Sequence, residues 1–185
     1  MTDPRAYFGL EVLKDGRTVT VRALRESDRE KIATAVRRLD RESIYLRLFS
    51  YRNDLTEAGL DRIMQFDPKR EVSLLVTTGQ DADERVIGSG RYVLSDTPSA
   101  RRTAEVAFVV DGDFRGQGIA SRLLRHLAVV ARDNGIEAFE ADVLAANAPM
   151  LGVFTRTGWE MQSRRDGGSV HVTLALPKRD LSAPA

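Results

Sequence analysis

The 185-residue chain contains no cysteine. That absence excludes disulfides, thiolate metal sites, a cysteine nucleophile and an acyl-cysteine intermediate. Two histidines are too few for a histidine-rich metal centre, and no metal is expected. Charge of one sign is also missing, since 28 basic residues face 27 acidic ones for a net +1. A dedicated nucleic-acid or membrane-surface protein would carry a basic excess on some face. The pairs Arg37-Arg38, Arg101-Arg102 and Arg164-Arg165 are scattered and read as solvated surface. No run approaches the roughly 20 apolar residues of a membrane span. The start, "MTDPRAYFGL", lacks the basic-then-apolar order of a secretory signal. A cytoplasmic protein that engages neither nucleic acid nor membrane is expected.

What the chain has is enough apolar residue, 42%, to build one core. The expected layout is an extension and first hairpin strand over 1–16, a domain over 17–176, and a flexible tail over 177–185. "KDGR" between Leu10, Val12 and Val19, Val21 predicts a hairpin. Ser27 and Asp28 offer caps for a helix carrying Ile32, Val36 and Leu39. "DRESIYLRLFS" has helical spacing, and Thr56 caps a further helix with Leu60, Ile63 and Met64 on one face. The period then shortens to that of strands in "EVSLLVTTG", "RVIGSGRYVL" and "TAEVAFVV". A helix over Ile119–Asp133 ends at Asn134-Gly135, followed by a strand "FEADVLAAN" and a helix with Pro149 in its first turn. A hairpin around Gly167-Gly168 closes the domain. This order predicts a mixed sheet with helices on both faces, an α/β or α+β fold.

The segment "FVVDGDFRGQGIASRLLRHL" carries the sharpest signal. A β-branched run ends, two glycines follow one residue apart, and a helix begins at once. The first turn of a helix exposes unpaired N–H groups and the positive end of its dipole. Glycines allow positive φ and close approach, so the junction reads as an anion cradle for phosphate or pyrophosphate. The spacing fits neither GxxxxGK[ST] nor GxGxxG, because no lysine follows and Ser121 stands where a third glycine belongs. "GSGRYV" has no helix behind it and reads as a bulge. A glycine-rich turn without any ligand is the bland alternative.

Arg115-Gly116-Gln117-Gly118-Ile119-Ala120 matches Arg/Gln-x-x-Gly-x-Gly/Ala. With the strand before it, the amphipathic helix after it and "TGWE" further on, it resembles the GNAT family of acyl-CoA-dependent N-acyltransferases over residues 17 to 176. "SIYLRLFS", "LTEAGLDRIMQFD" and "REVSLLV" are similar to the GNAT domain of bacterial Pat-type protein-lysine acetyltransferases. The resemblance implies a GNAT fold, a mixed sheet of about six to seven strands flanked by helices, and acetyl-CoA as cosubstrate. It also implies that Arg115, Gly116, Gln117, Gly118, Ile119, Ala120 and Ser121 bind the cofactor, the loop amides from Gly116 to Ala120 holding the CoA pyrophosphate. Phe108, Val109 and Val110 would pair with the pantetheine arm, and Asn147 would contact that arm where strands splay apart. Many members place a tyrosine near the thioester sulfur; Phe154 holds that place here and is expected among the cofactor-binding residues.

An amine acceptor sets the chemical problem. A free lysine titrates near 10.4, so at pH 7 about one in 2,500 molecules is neutral, a cost of ~4.6 kcal/mol. A base is needed. Glu105 interrupts an apolar strand just ahead of Phe108, shares a face with Ala107 and Val109, and stands where Pat-type domains carry their catalytic glutamate. Its alternative is a strand-end carboxylate that faces solvent or pairs with Arg101 or Arg102. Glu140 and Asp142 share a face of the next strand and either line the acceptor cleft or serve solubility. His171 reads as a satisfied structural histidine. The expected activity is acetyl transfer to a protein lysine by direct attack in a ternary complex. A small-molecule amine acetyltransferase, a non-catalytic acyl-CoA sensor and a plain interaction module are the alternatives, and a homodimer is compatible with each.

Overall fold

The computed structural model describes residues 3–39, 57–65, 67, 69–96 and 101–178. The helical segment expected over 40–50 and the cap at Thr56 lie outside the described residues. Eight strands form one mixed sheet: β1 Phe8–Val12, β2 Thr18–Ala23, β3 Glu71–Thr78, β4 Arg85–Leu94, β5 Thr103–Val110, β6 Ala138–Leu144, β7 Met161–Asp166 and β8 Ser169–Ala175. Their order across the sheet is β1-β2-β3-β4-β5-β6-β8-β7. Every neighbouring pair is antiparallel except β5 and β6. Four α-helices accompany the sheet among the described residues: α1 Arg29–Arg38, α2 Glu57–Met64, α3 Ile119–Asp133 and α4 Ala148–Thr155. The fold is α+β, with two more strands than the lower expectation and helices on both faces.

Strand alternation divides the apolar residues between those faces. Leu74, Val76, Val106 and Phe139 pack against Leu123, Leu127 and Val130 of α3. Leu75 and Val86 point the other way, joining Ile32 and Ala33 of α1 and Leu60 of α2. α3 is the best specified element, with its predicted bounds met at both ends. Gly118 precedes it at φ 85°, and Asn134 ends it before Gly135 at φ 77°.

The "GSG" of β4 has a packing reason as well as a bulge. Val76 faces Gly88 while Thr77 faces Val86, so Ile87 is the extra residue. A Cβ on Gly90 would stand 3.0 Å from Phe108 Cδ1, 3.1 Å from Leu127 Cδ1 and 3.3 Å from Leu123 Cβ. Glycine here is what lets α3 lie close on the sheet.

Asp28 precedes α1 but does not cap it with its side chain. Its carboxylate instead receives both Arg22 guanidinium nitrogens at 2.7 Å, and Arg25 N–H at 2.8 Å. Arg22 is 3% exposed; its Nε also donates to Glu84 Oε1 at 3.0 Å. Burial alone would raise the Glu84 pKa, yet hydrogen bonds from Lys31, Arg22 and Thr77 outweigh it and hold the carboxyl at about 2. This fork ties β2 to the start of α1 and to the β3–β4 turn.

At one edge of the sheet, β1 turns Phe8, Leu10 and Val12 outward at 61%, 64% and 55% exposure. Its alternate residues Gly9 and Glu11 face α3, where Gly9 lies against the His126 ring.

Gly90→Val is expected to lower stability by about 1–3 kcal/mol, because the added side chain overpacks the α3 contact. Thermal melting of the two proteins measures it, and an unchanged melting temperature would refute the close-approach account.

Candidate active site

The parallel strands β5 and β6 pair at Thr103–Ala138, Ala104–Phe139 and Glu105–Glu140 and at no residue beyond. β5 nevertheless continues to Val110, hydrogen-bonded on its other side to β4. β6 continues to Leu144, paired with β8. From Val106 onward the two strands have parted, and the β5 edge from Val106 to Val110 faces no strand among the described residues. Phe108, Val109 and Val110 lie on that edge.

The chain leaves β5 at Asp111, which accepts from Arg85 Nη2 at 2.6 Å, and makes a 3-10 turn over Gly112–Phe114. Phe114 is buried and anchors the loop, with the Arg17 guanidinium 4.5 Å from its ring centre. Gly116 then adopts φ 75° and Gly118 φ 85°, conformations that a side chain strains. A Cβ on Gly116 would meet nothing within 4 Å, so the backbone there fronts open space. Among the described residues no side chain caps α3, and its first turn holds no acidic residue. Its leading N–H groups and positive dipole end remain available to an anion.

The remaining loop residues divide into two kinds. Arg115, Gly116, Gln117, Gly118, Ala120 and Ser121 are exposed or half-buried, whereas the Ile119 side chain is core. Only the backbone N–H of Ile119 can face a ligand. Lys14, on the β1–β2 turn, brings Cε to 3.9 Å from the position a Gly118 Cβ would take.

Glu105 is the last β5 residue paired with β6, so its exposed side chain stands at the fork. It forms no ion pair or hydrogen bond among the described residues. Arg101 instead faces Glu160 at 3.9 Å, and Arg102 N–H donates to Glu137. Glu140, directly opposite, accepts from Thr103 Oγ1 at 3.3 Å. Two residues along the same face, Asp142 Oδ1 lies 2.9 Å from His171 Nδ1. His171 is therefore satisfied, as its mid-strand position suggested.

Two residues expected at the ligand are engaged elsewhere, one in part and one wholly. Asn147 caps α4, its Oδ1 accepting from Met150 N–H at 3.2 Å. Half of its amide thus serves the helix, leaving the NH₂ for any ligand. Phe154 is 2% exposed, its ring centre 6.4 Å from that of Phe108. It backs Phe108 from within the core and presents no ring to the cleft, so its assignment to cofactor binding is corrected to support of Phe108.

A polar chain without a local signal in the sequence joins the β1 region to α3. Tyr7 Oη sits 2.6 Å from His126 Nδ1, and His126 Nε2 sits 3.0 Å from Glu11 Oε1. Burial pushes the Tyr7 phenol up to about 12, helped by the charges of Glu11 and Asp133. Burial also lowers the His126 pKa, outweighing Glu11, which favours the charged ring. A neutral imidazole suits both neighbours: Tyr7 O–H donates to Nδ1, and Nε2–H donates to Glu11. The other Glu11 oxygen accepts from Arg122 Nε at 3.0 Å.

A mixed sheet forked between parallel strands, with a glycine-capped helix at the fork, defines an acyltransferase scaffold. The chain matches the Acetyltransferase (GNAT) family over residues 40–159, and it belongs to that family. An acetyltransferase of Pseudomonas aeruginosa is 30% identical over 157 residues, covering 85% of this chain and 83% of that protein. Acetyltransferase Pat of Mycolicibacterium smegmatis is 30% identical over 168 residues, 91% of this chain; the chain spans 49% of that protein's length. Among solved structures, the GNAT domain of S. lividans PAT superposes with a TM-score of 0.80 at 34% identity, covering 91% of this chain and 97% of that one. A cAMP-binding acyltransferase from Mycobacterium smegmatis superposes at TM-score 0.61 and 26% identity over 92% of this chain and 48% of its own. The GNAT family uses acetyl-CoA. Among the described residues no cluster suited to a metal ion is present, and no helix is long and apolar enough to cross a membrane.

The depressed His126 pKa gives a signed expectation. The unfolded chain takes up its proton near pH 6.5, before the folded one does. The stability that the neutral ring supports is therefore complete above about pH 6.5 and is lost as pH falls through the folded pKa. Melting temperatures between pH 8 and 5 should fall less steeply in His126→Gln than in the wild type; parallel curves would refute it.

Proposed function

We propose that the chain is an acetyl-CoA-dependent N-acetyltransferase whose acceptor is a primary amine, most specifically a protein lysine side chain. The observation that carries this reading is the position of Glu105, at the last paired residue before the strands part. The thioester end of a ligand laid along Phe108–Val110, with its pyrophosphate at Gly116–Ala120, would stop close to that carboxylate.

In this reading the β5 edge pairs through its backbone with the pantetheine arm, as an added strand would. The loop amides and the α3 dipole hold the pyrophosphate. Glu105 accepts a proton from the ammonium or from the attacking nitrogen, directly or through water. The amine nitrogen then bonds to the thioester carbonyl carbon, the C–S bond breaks, and the sulfur departs as thiolate, taking up the second proton that the acylated nitrogen sheds. A thiol of pKa ≈ 8.5 is a fair leaving group without an acid, consistent with a buried Phe154 where other members carry tyrosine. Absence of cysteine excludes an acyl-cysteine intermediate, and direct attack in a ternary complex is the expected route.

Two features support a lysine acceptor. Glu105, Glu140 and Asp142 project on one accessible face, suited to receiving an ammonium group on an extended side chain. The Pat-like sequence stretches, and the likeness to the PAT domain, point the same way.

Acetyl-CoA at a hundred times its dissociation constant should add about 2.7 kcal/mol of stability. Gly118→Glu should abolish that thermal shift, since it places charge and strain in the cradle. Glu105→Gln should keep the shift while turnover of a lysine peptide falls by about 10²- to 10⁴-fold. An unaffected turnover would instead favour an acyl-CoA sensor or another base, and no shift in the wild type would end the acyltransferase reading.

A further inference from the structure

We infer that Arg122 is the positioning residue of the anion loop, holding two of its peptide planes so that their N–H groups face the ligand. The inference rests on the pyrophosphate reading of that loop. Arg122 lies one turn into α3, and its guanidinium folds back over the helix start. Nη1 donates to Gln117 O and to Gly118 O, each at 3.2 Å. Nε donates to Glu11 Oε2 at 3.0 Å, and Nη2 to Val12 O. One planar cation thus joins the loop to the edge strand β1 through four acceptors.

The consequence follows from peptide geometry. In a trans peptide the C=O and the following N–H point in opposite directions. Holding Gln117 O toward Arg122 turns the Gly118 N–H away from it, and holding Gly118 O does the same for Ile119. Those two amides are the donors at the head of α3 that no side chain caps. The Gly118 O bond is doubled, because the Arg122 backbone N–H also donates to it at 3.1 Å. Asp15 N–H adds a further tie from the β1–β2 turn, to Gln117 Oε1 at 3.2 Å.

The same contact explains Gly118 beyond its positive φ. A Cβ there would collide with Arg122 Nη1, so glycine leaves the room the guanidinium occupies. Arg122 is itself held by Glu11, which His126 and Tyr7 steady in turn. Arginine is required by this arrangement: a lysine offers three donors from one nitrogen and cannot reach acceptors on both sides of a planar fork.

The test compares wild type with Arg122→Lys, which keeps the charge, and with Glu11→Gln, which loosens the clamp from β1. Titration calorimetry with CoA should show roughly tenfold weaker binding in Arg122→Lys and a smaller loss in Glu11→Gln. Turnover at saturating acetyl-CoA should stay close to wild type, so that KM moves and kcat does not. S-acetylpantetheine, which lacks the pyrophosphate, should be used equally well by all three proteins. Equal loss with both acyl donors would assign Arg122 a merely structural role and overturn the inference, as would undiminished CoA affinity in Arg122→Lys. Backbone order parameters of Gly116 to Ile119 in the ligand-free proteins supply an independent arm. They should sit near 0.85 in wild type and drop toward 0.6 in Arg122→Lys; unchanged values overturn the inference. If wild type fails to bind CoA while those order parameters fall in the variant, the pyrophosphate reading is what fails and the clamp stands.

Discussion

Everything distinctive about this molecule depends on β5 ceasing to pair with β6 after Glu105. A parallel ladder that ran the full length of both strands would satisfy all their backbone groups and leave a closed sheet. By stopping after three residue pairs, the fold keeps a stretch of extended backbone in want of partners. Such groups are costly to bury and are not left alone. In the proposed reading they pair with a molecule that has amides and carbonyls along a narrow arm.

The rest of the domain keeps that fork open. β4 holds the far side of β5 throughout, while β8 holds the far side of β6. Helix α3 presses on the sheet across Gly88 and Gly90, where its residues Ile119, Leu123 and Leu127 take the space that side chains would fill. That pressure delivers the start of α3 to the mouth of the fork. On the opposite face, the buried Arg22–Asp28–Glu84 group fixes α1 against β2 and the β3–β4 turn. Removing a single partner from such a group leaves a buried charge uncompensated; its geometry is thus maintained as a unit.

Local patterns made much of this legible. Asp-Gly and Gly-Gly turns, the apolar stripe of Ile119–Asp133 and the positive-φ glycines at its head are all short-range signals, and each was met. Glu105 stood out because one charge interrupts an apolar strand. What escaped was carried by contacts between distant parts of the chain. Tyr7 and His126 are 119 positions apart, Glu11 and Arg122 111, and no periodicity links such residues. Asp28 looked like a cap because caps are local; its carboxylate went to Arg22 because a buried guanidinium needs an anion more. Phe8, Leu10 and Val12 alternate as core residues do, yet they lie outward on an edge strand. Asn147 has half its amide engaged by its own helix, since Asn at a helix start is drawn to the N–H groups beyond it.

That edge strand bears on how the molecule coexists with copies of itself. An open strand edge beside three apolar side chains is a template for association with another chain. Here the guanidinium that steadies the loop also occupies the carbonyl of Val12, and Glu11 on the same strand is drawn inward toward it. The edge is blunted from behind, by a residue of a helix on the opposite face. Colloidal behaviour and ligand affinity therefore draw on one side chain, and a change that frees the loop also uncovers the strand.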